Sequence, residues 1–129
     1  RLKPYTKLQI IEIPEGNSSL PPALILREEG KNILHHLSKN TYAIALVIEG
    51  KRMSSLQFAQ KLDELITYGQ SHISFIIGGS YGLDQTVLEQ ADFKLSFSLM
   101  TFPHQLFRVM LLEQIYRANK IIRGEAYHK

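Results

Sequence analysis

At 129 residues and 44% hydrophobic, the chain supports one compact domain, residues 1–129, with a core of its own and leaves little room for a second. Its formal charge of +3 suits an RNA surface and equally an ordinary soluble protein, so charge alone selects no partner. There is no Cys, which excludes disulfides, thiolate metal sites and cysteine nucleophiles. No apolar run approaches the roughly 20 residues of a membrane span and no secretory signal occurs, so a soluble cytoplasmic protein is expected.

The first residue is Arg1, and residues 1–7 (RLKPYTK) read as a connection into a strand, so further residues are expected upstream. Residues 7–13 (KLQIIEI) read as that strand, and residues 14–22, with Gly16, Asn17, Ser18 and Ser19, as a turn-rich segment. A helix is predicted over 23–38, with Leu24, Ile33, Leu34 and Leu37 inward and Arg27, Glu28, Glu29 and Lys31 outward, weakened by Gly30. Residues 42–48 (YAIALVI) form a continuous apolar run, the signature of a strand covered on both faces, followed by a charged turn at 49–52.

Ser54 and Gln57 make a capping box, with Leu56, Ala59, Leu62, Leu65 and Ile66 at helical spacing up to Gly69. A second buried strand, 73–77 (ISFII), runs into Gly78-Gly79-Ser80-Tyr81-Gly82. A short helix at 84–91 and a strand at 93–97 follow. Strands alternating with helices predict βαβ units and a mainly parallel sheet, with ligands at the strands' C-terminal ends. Three loops therefore meet there: 49–53, 78–83 and 98–102.

Pro103 suits a first helical position, since its missing N–H costs nothing there. The helix after it carries Leu106, Phe107, Val109, Met110, Leu111, Leu112, Ile115 and Tyr116, apolar nearly all round, and so must be buried on several sides. In so short a chain, a second copy is the simplest cover.

Chemistry has few candidate seats. The glycine loop lacks both the dinucleotide spacing and the P-loop Lys-Ser/Thr, so it reads as a turn or as a close backbone approach to an adenosine. His35, His36 and His72 read as surface or edge groups, and no His pair has metal-ligand spacing, so no metal is expected. His104 starts the last helix beside the converging loops. Arg108 stands among apolar neighbours, where an Arg is either paired with an acid or poised to grip phosphate. Arg117, Lys120 and Arg123 continue a basic edge toward the tail Gly124-Glu125-Ala126-Tyr127-His128-Lys129, a terminus either disordered or closing over a site.

Four blocks together resemble one family: IIGGSYGL at 76–83, LSFSLMTFPHQLFRV at 95–109, EQIYRA at 113–118 and RGEAYHK at 123–129. A GGxxG loop, a Thr-Phe-Pro-His loop and a Tyr-His-Lys tail in register resemble the RlmH family of SPOUT-class methyltransferases, over residues 5–129. The resemblance implies an α/β fold, mainly parallel with helices on both faces, closed by a C-terminal trefoil knot, and a homodimer. It implies S-adenosylmethionine as methyl donor and N3 of a pseudouridine in large-subunit ribosomal RNA as acceptor. By position, its cofactor contacts fall at Leu46, Gly78, Phe97, Ser98, Leu99, Met100, Thr101 and Phe102. His128, Tyr127 and Arg108 are the expected catalytic set, with His128 as base or hydrogen-bond partner and the tail reaching the other subunit's pocket. His104, Arg123 and Lys129 are the expected substrate contacts. The family's first strand and helix, about 25 residues, are missing here by that analogy, and residues 17–22 run short against it. The small positive charge is too weak a hold on naked RNA, which points to the assembled ribosome as substrate. Two alternatives are a knotted methyltransferase acting on transfer RNA and a non-enzymatic flavodoxin-like module holding phosphate in the glycine loop.

Overall fold

The computed structural model describes residues 6–13, 19–79 and 81–128, and of His104 the backbone alone. Its elements are β1 (Lys7–Glu12), α1 (Pro22–His36), β2 (Tyr42–Arg52), α2 (Ser55–Thr67), β3 (His72–Ile77), α3 (Gln85–Gln90), β4 (Phe93–Ser96) and α4 (His104–Ile122). The four strands form one sheet in the order β1-β3-β2-β4, and all three pairings are parallel. Parallel neighbours require a crossover, and each crossover here carries a helix.

Alternation along the inner strands divides the core between two faces. Ile44, Leu46, Ile73, Phe75 and Ile77 meet Phe58, Ala59 and Leu62 of α2 and Leu111 and Ala118 of α4. Ala43 and Ile76 point the other way, against Ile33 of α1 and Val87 of α3. Helices on both faces explain why β2 and β3 read as unbroken apolar runs.

Local chemistry sets the helix ends. Ser54 Oγ accepts from the Gln57 N–H at 3.1 Å, while Gln57 Oε1 accepts from the Ser54 N–H at 2.9 Å, the reciprocal box expected at that spacing. Gly30 sits inside α1 because a Cβ there would come within 2.9 Å of Asp84 Cβ, where α1 crosses the start of α3. At the other end of the chain, the Gly124 N–H bonds to Ile121 O and the Glu125 N–H to Lys120 O. With Gly124 at φ +69°, this is a Schellman stop that turns the tail back along α4.

Several expectations shift. The charged turn at 49–52 is part of β2: Leu95 of β4 pairs with both Leu46 and Lys51, so the intervening residues bulge. Gly50 permits this, since a Cβ would lie 2.7 Å from the Leu95 backbone. Pro103 is the cap and His104 the first helical residue, because Pro103 is extended at ψ 144° while its carbonyl accepts from Phe107. Leu24, assigned inward, is exposed, since α1 turns only Gly30 and Ile33 fully into the core. His72 opens an inner strand, with Nδ1 buried and unbonded among the described residues.

Phe75 is fully enclosed between the sheet and α2, 6.2 Å from the Phe58 ring. Phe75→Ala is expected to cost about 3–5 kcal/mol in urea unfolding monitored by circular dichroism.

Candidate active site at the C-terminal edge of the sheet

The sheet order brings the three expected segments to one edge. Leu46 pairs with Ile77 on one side and with Leu95 on the other. Gly78 therefore follows one neighbour directly, and Phe97 lies two residues beyond the other. The glycine loop folds on itself: Gly79 bridges Gly82, whose N–H bonds to Gly79 O at 3.1 Å. A Cβ at Gly78 would land on the Gly82 carbonyl oxygen, so that position admits only glycine.

The loop after β4 is tied at its root and bare at its tip. Buried Ser96 donates from Oγ to Ser98 O at 3.0 Å, and Ser98 Oγ accepts from the Met100 N–H at 3.0 Å. Phe97 stacks on Phe107 of α4 at 5.0 Å, and Phe102 meets the same ring edge-on at 6.2 Å. Leu99 and Met100 remain 66% and 71% exposed, and Thr101 is also exposed.

A cavity of about 490 Å³ opens between the start of α2 and α4, lined by Met53, Ser55, Phe58, Phe97, Val109 and Glu113 among others. It shares Phe97 and Leu95 with the sheet edge but not Leu46, Gly78 or residues 98–102. The end of β2 and the loops after β3 and β4 thus share an edge, and this cavity lies to one side of it.

The tail folds back onto its own α4. Arg117 grips Glu113 from Nε at 3.2 Å and Nη2 at 2.9 Å, and Tyr127 donates its hydroxyl to Glu113 Oε2 at 3.0 Å. Tyr127 also meets Tyr116 edge-on and lies under the Arg117 guanidinium at 4.9 Å. Arg117 Nη1 stands 3.1 Å from His128 Nδ1. A further link runs inward: Gln114 Nε2 donates to Glu113 Oε1, and Ser55 Oγ donates to Gln114 Oε1 at 2.7 Å. The Arg117 bonds, aided by the Tyr127 hydroxyl, hold the Glu113 carboxyl below the usual carboxylate range. The same carboxylate raises the Tyr127 phenol.

The remaining expected residues lie apart from this cluster. Arg108 is half-exposed, and it pairs with an acid, Glu12, at 2.9 Å, bridging α4 to the end of β1. Arg123 is largely solvated and 3.9 Å from Glu125. Lys129 and the His104 side chain fall outside the described residues. Glu113, Gln114 and Ser55 went unrecognised as site groups. The available signal was the Glu113…Arg117 spacing followed by a helix-stopping Gly124. Among the described residues, no group of three or more His, Asp and Glu is placed to hold a metal, and no helix is long and apolar enough to cross a membrane.

A parallel α/β sheet with a glycine loop and an apolar loop at its C-terminal edge, and a tail clamped to its last helix, fits a small methyltransferase of the SPOUT class. The family model described as "Predicted SPOUT methyltransferase" matches residues 1–128, and the chain belongs to that family. Among its relatives is the ribosomal RNA large subunit methyltransferase H of Carboxydothermus hydrogenoformans, 53% identical over all of this chain and 84% of the relative. The proteins of the same name in Bacillus cytotoxicus and Bacillus thuringiensis are 54% and 52% identical with the same coverage. These alignments run to 134 positions against 129 residues here, so the relatives are longer within the matched stretch.

The tail contact has a definite pH window. Glu113, with its lowered pKa, contributes above the ordinary Glu value of about 4.3 and is lost as pH falls through its folded pKa. Tyr127, with its raised pKa, contributes below the ordinary Tyr value of about 10 and is lost as pH rises through its folded pKa. Amide ¹⁵N relaxation at Tyr127 and His128 is expected to report a docked tail between these limits and a mobile one outside them.

Proposed function

We propose that this protein transfers a methyl group from S-adenosylmethionine to N3 of a pseudouridine in large-subunit ribosomal RNA, acting in the cytoplasm on the assembled ribosome. The observation that carries this reading is the identity of more than half over the entire chain to relatives named for methylating that RNA. The fold class supports it, since SPOUT methyltransferases use this methyl donor. A trefoil knot in the C-terminal half is part of the same reading, through the family.

The edge residues fit the donor. Phe97 gives an apolar wall, and Leu99 and Met100 stand open to cover a flat ring. Leu46, Gly78 and Phe97 to Phe102 would hold it, and when bound it supplies an electrophilic methyl on a sulfonium. The chain's own task is to orient the acceptor ring and stabilise it as its N3 proton leaves. Tyr127 offers a ring surface for the base, and His128 a polar contact at its edge. Arg108, Arg123, His104 and Lys129 are the assigned contacts to RNA phosphate and the flanking strand, although Arg108 is shared with Glu12 in the unbound protein. A formal charge of +3 is a slender hold on RNA, which is why neighbouring ribosomal surfaces are needed.

A second copy of the chain completes the site. Val109, 60% exposed, shares a bare α4 face with Leu106, Leu112 and Tyr116. That face stays about half exposed in one protomer, although such a stripe normally faces a core. Covering it with a twofold mate sets Tyr127 and His128, docked beside Tyr116, at the seam between two subunits.

Titration calorimetry with S-adenosylmethionine is expected to show one site per protomer, and absence of binding would overturn the reading. Mass spectrometry of RNA from ribosomes incubated with enzyme and donor should show one added methyl on a pseudouridine of the large subunit; methyl on transfer RNA alone would redirect the assignment. His128→Ala is expected to lower turnover about a hundredfold with donor affinity nearly unchanged. Val109→Asp should convert the dimer to a monomer in sedimentation equilibrium and abolish turnover.

A further inference from the structure

His128 invites assignment as the base, but its neighbours argue otherwise. A guanidinium has only N–H donors, so the 3.1 Å contact from Arg117 Nη1 places a lone pair on His128 Nδ1. The neutral ring then carries its proton on Nε2. Among the described residues, Nε2 makes no hydrogen bond, so that N–H is free to point at a ligand. Arg117 is not free to turn away, because Nε and Nη2 are both committed to Glu113 in a bidentate pair. Glu113 is anchored in turn by Tyr127 and by the Gln114–Ser55 link to the start of α2. One carboxylate thus accepts from three side chains and sets the orientation of a fourth.

We propose that Glu113 and Arg117 are positioning residues that lock His128 as its Nε2–H tautomer, and that this N–H donates to a carbonyl oxygen of the target base rather than removing its proton. The second half rests on the methyl-transfer reading above. The chemistry suits a donor. N3 of a uracil-type ring lies between two carbonyls, so its proton is acidic and passes to solvent water. The nitrogen pair then forms the N–CH₃ bond as the donor's S–C bond breaks, its electrons going to sulfur. Negative charge built up before transfer is spread over the two carbonyl oxygens, where a preorganised N–H stabilises it. A ring locked with its proton on Nε2 has no lone pair there to act as base. The arrangement also explains why a residue beyond the last helix is anchored by several side chains: a donor aimed at one oxygen must hold its direction.

Two measurements separate the halves. In ¹⁵N-histidine-labelled unliganded protein, long-range ¹H–¹⁵N spectra above neutral pH, with His128 identified by its loss in His128→Gln, should show an unprotonated Nδ1 and a protonated Nε2. Glu113→Gln and Arg117→Lys, with the fold checked by circular dichroism, should turn this into a tautomer mixture. A protonated Nδ1 in the wild type, or a spectrum indifferent to both substitutions, overturns the lock. On ribosomes, His128→Gln keeps a side-chain N–H donor without a usable base, and it should retain at least tenfold more turnover than His128→Ala at equal donor affinity. Equal loss in the two variants overturns the donor role. If the wild type methylates no ribosome, the functional reading falls and the donor role with it, while the spectra still decide the lock.

Discussion

The parallel pairing of β2 between β3 and β4 is the constraint on which the rest of the molecule depends. Because neighbouring strands run the same way, every strand must end on one edge and the chain must recross the sheet before starting the next. Leu46 is therefore flanked by Ile77 and Leu95, and the loops leaving those strands have nowhere to go but that edge. Two close approaches make it tight: β4 against Gly50 and the glycine loop against itself at Gly78, both too near for a Cβ. The loop after β4 then has to lead into α4, which recrosses the face that α2 already covers.

That helix serves two surfaces at once. Its inward residues, Leu111 and Ala118, complete the core, while Val109, Leu112 and Tyr116 stay about half exposed in the single protomer. Between the two lies Glu113, at the wall of the cavity and beneath the returning tail. The polar network is therefore not decoration on a finished fold. It joins the start of α2, the middle of α4 and the last residues of the chain, three places that a two-layer core alone would leave independent.

Much of this was legible from residue order. The α2 cap, the buried character of β2 and β3 and the alternation of strands and helices follow from short-range chemistry, and the tertiary structure leaves them in place. Departures occur where a distant backbone decides the matter. Residues 49–52 looked like a charged turn after an apolar run; they bulge within β2 because β4 passes within contact of Gly50. Leu24 looked inward by periodicity, yet α1 meets its neighbours chiefly through Gly30 and Ile33. Arg108 could be read as paired with an acid or as a phosphate grip, and only the fold supplies the acid, Glu12 at the end of β1.

By itself, the order of residues determined the fold class, the helix stops, the glycine requirement at the loops and the family, because each is written in local pattern or in motifs that stay contiguous. Only the tertiary structure decided which carboxylate the tail meets, which nitrogen of His128 can carry a proton, and where the open space lies relative to the sheet edge. Those depend on contacts between residues far apart along the chain or on opposite sides of a turn. Their energies are set by distance and direction, which spacing along a chain does not encode.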